Sequence, residues 1–86
     1  MEIVLLKEAE EDLIEYKKAG DKASLLRIKL LIENIRITPY EGLGKPEMLK
    51  FELSGKWSRR INKEDRMVYE IIEDKIILRT LKGHYK

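Results

Sequence analysis

The sequence predicts a single α+β domain: two helices, both in the N-terminal half, packed on one face of a small, mainly antiparallel, twisted sheet. Three observations carry that reading. A chain of 86 residues has room for one core and no more. Its first half places apolar residues at threefold and fourfold spacing, the period of an amphipathic helix. Its second half instead contains four short runs separated by turn residues, and consecutive strands with short connections form an antiparallel meander.

The apolar run at residues 3–6 suits a strand. Ala9, Leu13 and Tyr16 then recur with acids between them, which predicts a first helix ending near Gly20. Asp21 is a suitable N-cap for a second helix, along which Leu25, Ile28, Leu31, Ile32 and Ile35 form an apolar stripe. That helix should stop before Pro39, because a residue preceding proline is biased away from helical angles. Residues 40–46, with Gly42 and Gly44, read as a loop. Strands are expected at 50–53, 57–61, 66–72 and 76–81, with turns at 54–55, 62–65 and 73–74. In the third of these, Met67, Tyr69 and Ile71 face one way and Arg66, Val68 and Glu70 the other. If the helices cover the first row, Arg66 points to the open face. Trp57 and Tyr69, inside predicted strands, are assigned to the core. There is no internal repeat or linker, so residues 1–86 are expected to form one domain.

Charged residues make up 40% of the chain, yet the net charge is only +2. Their distribution says more: residues 1–44 hold seven Lys/Arg against nine Asp/Glu, whereas residues 45–86 hold eleven against seven. A basic excess in the second half suits a polyanion-binding surface, and it also occurs on solvated strands. With no cysteine and one histidine, disulfides and thiolate sites are excluded. A zinc site within one chain would need three carboxylates, so neither metal nor cofactor is expected. The segment Gly42-Leu43-Gly44-Lys45 lacks the spacing and the following Ser/Thr of a phosphate-binding loop, which argues against nucleotide binding. The apolar opening is too short for a signal peptide and no stretch approaches a membrane span. A cytoplasmic protein without membrane contact is the expectation.

Four segments carry candidate chemistry: Gly44-Lys45-Pro46-Glu47, then Leu53-Ser54-Gly55-Lys56-Trp57-Ser58-Arg59-Arg60-Ile61, then Asp65-Arg66-Met67-Val68-Tyr69, and finally Gly83-His84-Tyr85. Together with Ile37-Thr38-Pro39-Tyr40-Glu41-Gly42 they resemble the YoeB/Txe family, ribosome-dependent mRNA endonucleases within the RelE-like superfamily of bacterial toxin-antitoxin systems. The resemblance runs from about residue 21 to 85 and implies a RelE-like microbial RNase fold. Several motifs in the right order are more specific than any one alone. The first twenty residues match poorly, since the family often has tryptophans around its first helix and this chain has none there.

The resemblance implies a set of roles that the residue chemistry can meet. RNA is cut without metal when a base takes the 2′-hydroxyl proton, that oxygen attacks the adjacent phosphate, and an acid protonates the leaving 5′-oxygen. Glu47, after the restricting Pro46, is implied as the base; by itself it also reads as one more solvated acid among 16. His84 is the natural proton donor, with an unperturbed pKa of about 6.5. Arg66 is the candidate for stabilising the transition state, because a guanidinium stays charged and can bond two phosphate oxygens. In the family a His-Tyr pair closes the chain, and Tyr85 is suited to stacking on a base or bonding a phosphate; here Lys86 follows it. Lys50 and Arg60 resemble positions that hold the RNA backbone. Arg59 alternates with Arg60 and should lie on the opposite face; it is assigned to a surface salt bridge.

By the same resemblance, the partners are a cognate antitoxin of the YefM/Axe type, the ribosome and its mRNA, with DNA reached only through the antitoxin and a homodimer left open. Two competing readings remain: a ParE-like gyrase inhibitor, which lacks the Glu/Arg/His constellation, and a basic module that binds ribosome or RNA without cutting.

Overall fold

The computed structural model describes residues 1–83. Chain order is β1 (Glu2–Leu5), α1 (Lys7–Lys18), α2 (Lys22–Ile37), β2 (Glu47–Met48), a 3-10 turn (Phe51–Leu53), β3 (Trp57–Arg60), β4 (Arg66–Ile72) and β5 (Lys75–Thr80). One five-stranded sheet has the order β1-β5-β4-β3-β2. Strands β2 to β5 form antiparallel neighbours as expected, whereas β1 joins β5 in parallel, Glu2 opposite Lys75 and Leu5 opposite Leu78. The sheet is therefore mixed, and the two helices pack on one face.

Local chemistry explains the helix ends. Helix α1 carries Glu8 and Glu10 in its first turn and Lys17 and Lys18 in its last, each sign matched to the helix dipole. At its C-terminus Gly20 adopts φ +67°, and the amides of Gly20 and Asp21 bond the carbonyls of Lys17 and Tyr16, which is the Schellman arrangement. Asp21 then caps α2, its side chain accepting from the Ser24 amide at 3.1 Å. Helix α2 ends at Ile37, two residues before Pro39. Its buried face, Ser24, Ile28, Leu31 and Ile35, advances by three or four residues and lies on Met67, Tyr69, Ile76 and Leu78 of the sheet.

Two expectations fail in the second half. Residues 50–53 are not a strand: Phe51 takes φ +60°, the Leu53 amide bonds the Lys50 carbonyl, and the segment becomes a 3-10 turn. The strand in this region is the two-residue β2 just before it, and the hairpin extends by one further bond, from the Leu49 amide to the Lys56 carbonyl. Arg59 is also misassigned. It faces the helices, opposite Met67, and is fully buried rather than a surface ion-pair partner. All five of its N–H groups are used: Nε donates to Tyr69 Oη (3.1 Å), Nη1 to Asn34 Oδ1 (2.6 Å) and the Leu43 carbonyl (3.0 Å), and Nη2 to the carbonyls of Thr38 (2.5 Å) and Glu41 (2.9 Å). Tyr69 in turn donates to the Pro39 carbonyl at 2.6 Å. The cation has neutral oxygens around it and the negative end of α2 beside it. Tyr69 is core as expected, and Trp57 packs half-buried against that core, its ring tilted on Tyr40 with centroids 4.9 Å apart.

A second polar cluster ties α1 to the sheet. Tyr16 Oη donates to Asp65 Oδ2 at 2.5 Å and lies 3.1 Å from the Leu81 carbonyl oxygen. Asp12 Oδ2 accepts from the amides of Leu81 (2.9 Å) and Lys82 (3.2 Å). Burial, and after it the Asp65 carboxylate that accepts its proton, push the Tyr16 pKa well above the ordinary phenol value. Burial also raises Tyr69, opposed by its bond to Arg59.

Two outcomes follow from this packing. Arg59→Lys keeps the charge but offers three donors to five acceptors, so urea unfolding should show a loss of about 2–4 kcal/mol, whereas Arg60→Lys on the exposed face should change stability by about 0.5 kcal/mol or less. The raised phenol pKa values mean that stability is intact below the unfolded value of roughly 10 and is lost as pH rises from there through the folded values. The melting temperature should therefore fall less steeply above that pH in Tyr16→Phe than in the wild type.

Candidate functional site

Directly opposed residues of an antiparallel pair share a face. On the face away from the helices, Arg60 of β3 lies opposite Arg66 of β4, and Glu47 of β2 lies opposite Ser58 of β3. Glu47 Oε1 stands 3.5 Å from Arg66 Nη2. The arginine is further held by Ser58 Oγ, which accepts from Nε at 3.0 Å, and by the Lys45 carbonyl, which accepts from Nη2 at 3.3 Å. These contacts use Nε and Nη2, and among the described residues Nη1 makes no hydrogen bond. The Arg66 side chain is 18% exposed and that of Glu47 64%, so the guanidinium is anchored to the sheet and the carboxylate faces solvent.

The loop after α2 explains how Glu47 reaches this position. Arg59 gathers the Thr38, Glu41 and Leu43 carbonyls around its guanidinium, and the Gly44 carbonyl accepts from the Arg60 amide at 2.7 Å. A side chain at Gly44 would have its Cβ 2.8 Å from Leu31 Cδ2 and 3.1 Å from Arg59 Cβ, at φ +84°, so the close approach of loop to strand requires glycine. Lys45-Pro46-Glu47 then leads directly into β2.

Electrostatically the face is unbalanced. Like charges on opposed strand positions repel, and one carboxylate cannot neutralise both Arg60 and Arg66. Arg60, Lys45 and Lys50 are exposed, Lys50 at the head of the 3-10 turn. Beyond Arg66 on the same strand face, Val68 leads into a depression of about 350 Å³ bordered by Leu53, Thr80 and Arg79, the last paired with Glu70 at 2.6 Å. Such a surface can hold a multiply charged anion against a fixed guanidinium, with a carboxylate positioned to accept a proton.

Of the six site residues expected from sequence, Glu47, Arg60 and Arg66 are brought together on this face. Lys50 is exposed and makes no ion pair among the described residues. His84 and Tyr85 lie outside the described residues. The residue before them, Gly83, lies at the head of β4: a Cβ there would be 3.1 Å from the Arg66 amide nitrogen. Sequence reasoning missed Ser58, whose place one strand over from Arg66 becomes visible only from the register. Among the described residues no group of three or more His, Cys, Asp or Glu is placed to hold a metal ion, and no helix is long and apolar enough to cross a membrane.

Comparison with known proteins identifies the family and the fold. Residues 6–85 match the family model described as a YoeB-like toxin of bacterial type II toxin-antitoxin systems. Toxin YoeB of Escherichia coli is 41% identical over 85 residues, 99% of this chain and 100% of the relative, and Toxin YoeB of Synechocystis sp. is 49% identical over 78% of each. Among solved structures, the YoeB/ParE toxin from Agrobacterium tumefaciens superposes with a TM-score of 0.92 at 34% identity, covering 99% of this chain and 100% of the other. The toxin in the heterotetrameric YoeB-YefM complex from Staphylococcus aureus superposes at 0.88 with 37% identity, covering 99% of this chain and 98% of the other. The chain therefore belongs to the YoeB-like toxins of bacterial type II toxin-antitoxin systems.

Proposed function

We propose that this toxin is a ribosome-dependent mRNA interferase, which cuts mRNA in the ribosomal A site by general acid-base catalysis and thereby inhibits translation. The observation that carries the reading is the opposed pair Arg60 and Arg66 on one sheet face with the Glu47 carboxylate 3.5 Å from Arg66. Such a face is complementary to the phosphorane that forms when a 2′-hydroxyl attacks its own phosphodiester.

Glu47 is assigned as the base. It accepts the 2′-hydroxyl proton, the 2′-oxygen bonds to phosphorus, and the P–O5′ bond breaks. His84, directly after Gly83 in sequence, is assigned as the acid that protonates the departing 5′-oxygen, giving a 2′,3′-cyclic phosphate and a 5′-hydroxyl. Arg66, held by Ser58 and Lys45, stabilises the charge that builds on the equatorial oxygens. Its existing ion pair with Glu47 is partly exposed and therefore weak, so a phosphate can replace the carboxylate as partner. Arg60 and Lys50 hold the flanking backbone, and Tyr85 stacks on a base or bonds a phosphate. Much of the in-line alignment comes from the ribosome, whose A site presents the mRNA in a fixed path.

The solved YoeB-YefM complex and YoeB dimer from Staphylococcus aureus support a regulatory setting of the same kind. A YefM-type antitoxin, folding a partly disordered segment over this face, would cover the charged groups and silence the toxin. Contact with DNA would then pass through the antitoxin, a toxin dimer is part of the proposal, and the place of action is the cytoplasm, where the ribosomes are.

Primer extension on a defined mRNA, with and without translating ribosomes, tests the assignment. Cleavage should require ribosomes and fall by about 10² to 10⁴ in Glu47→Ala and in His84→Ala. Arg66→Lys should lose about 10² or more, because a single ammonium cannot make the planar contacts. A wild type that blocks translation without cutting would instead favour a binding inhibitor of the ribosome or of gyrase. In binding assays with a short RNA, Arg60→Gln should weaken affinity irrespective of sequence and reduce the slope of log K against log salt by about one unit.

A further inference from the structure

Two side chains of helix α1 hold backbone segments that flank the charged face. Asp12 and Tyr16 are four residues apart and so lie one above the other on one side of the helix. Both are buried, Asp12 at 5% exposure and Tyr16 at 2%. Tyr16 bonds Asp65, the residue immediately before Arg66. Asp12 bonds the amides of Leu81 and Lys82, the two residues immediately before Gly83. These two backbone segments meet at the head of β4, where Gly83 closes against the Arg66 amide.

A helix that needed only to cover the sheet would have an apolar residue at position 12, since the same side of α1 presents Ala9 to the core. Burying a carboxyl group instead is costly unless its hydrogen bonds are specific, and here both bonds are to backbone amides just past the last strand. Those amides have no strand partner to define their direction, because the β5 pairings stop at Thr80. Tyr16 does the same at the other segment. Its hydroxyl joins the turn before β4 to the Leu81 carbonyl, its ring lies under the Lys82 ammonium at 4.2 Å, and the turn is braced from α2 by the bond from Asn62 Nδ2 to Ser24 Oγ at 2.9 Å.

We propose that Asp12, seconded by Tyr16, is a positioning residue for RNA cleavage: from the helix it fixes the exit of β5 against the start of β4, and so sets the backbone from which the Arg66 side chain projects. The inference rests on the interferase reading above. It assigns Asp12 no contact with substrate and no proton transfer. Its function is geometric, and a misplacement of about 1 Å between reacting groups can cost on the order of 10²-fold in rate.

The test compares Asp12→Asn, which retains one acceptor oxygen of the same size and reach, with Asp12→Ala, which has none. Single-turnover cleavage on stalled ribosomes, ribosome affinity and amide NMR spectra are measured for both, at a temperature where circular dichroism shows each variant folded. Leu25→Ala, on the other helix, is the control for a general loss of stability, and Glu47→Ala the control for loss of chemistry. The expected result is a drop of about 100-fold in the cleavage rate of Asp12→Ala with ribosome affinity unchanged. Rescue to within a few-fold of wild type is expected in Asp12→Asn, and amide shifts in Asp12→Ala should concentrate at Arg66 and residues 81–83. The proposal is overturned if Asp12→Ala cuts as fast as Leu25→Ala, if its loss lies in ribosome affinity, or if the amides of Arg66 and Gly83 do not move. A wild type that fails to cut, with those amides still displaced in Asp12→Ala, would remove the interferase reading and leave the geometric link standing without its catalytic consequence.

Discussion

The guanidinium of Arg59 is the constraint on which the second half of the molecule depends. It lies in the core and makes no ion pair among the described residues, solvated instead by three backbone carbonyls, one amide oxygen and one phenol. Because all five donors are fixed in a plane, the oxygens that meet them must be fixed too, and four of the five belong to the end of α2 and the loop that follows. An apolar residue could fill the same volume, but it could not hold those carbonyls away from water. The loop is ordered by the cation, and the route from Thr38 to Glu47 follows from it.

The next residue illustrates how strand alternation separates structural from functional charge. Arg59 and Arg60 are identical in chemistry and adjacent in sequence, yet one is fully enclosed and the other exposed on the charged face. The enclosed arginine places the loop, the loop places Glu47, and Arg60 stands opposite Arg66. The concentration of positive charge on this face is thus supported by a polar core directly behind it, which limits how far the exposed groups can rearrange when a ligand is absent.

Much of this was legible in the sequence. The Asp21 cap, the glycine stop after α1, the proline limit on α2 and the three turns of the second half are set by neighbours within a few residues, and local chemistry reads them correctly. Alternation also put Arg66 on the open face and Arg59 and Arg60 on opposite faces of their strand. The failures are non-local. Alternation did place Arg59 opposite Arg60, but its charge argued for the surface, and the five oxygens that overrule that argument come from the end of α2, the loop after it and β4. Residues 50–53 have strand-like composition, and a left-handed Phe51 turns them into a 3-10 turn that no local signal announces. Asp12 looked like one more acid on an acidic helix, although it shares the helix side of Ala9 and Tyr16. A polar residue at a stripe position was the available signal.

The parallel pairing of β1 with β5 was the least legible feature, and it bears on timing. Residues 2–5 are synthesised well before the strand that completes their hydrogen bonding, which spans residues 75–80. Until then β1 has no strand partner and α1 lacks the backbone that Asp12 and Tyr16 hold. Contacts of such sequence separation close slowly, and they cannot close on a partial chain. A growing polypeptide therefore has its helices long before it has a completed sheet.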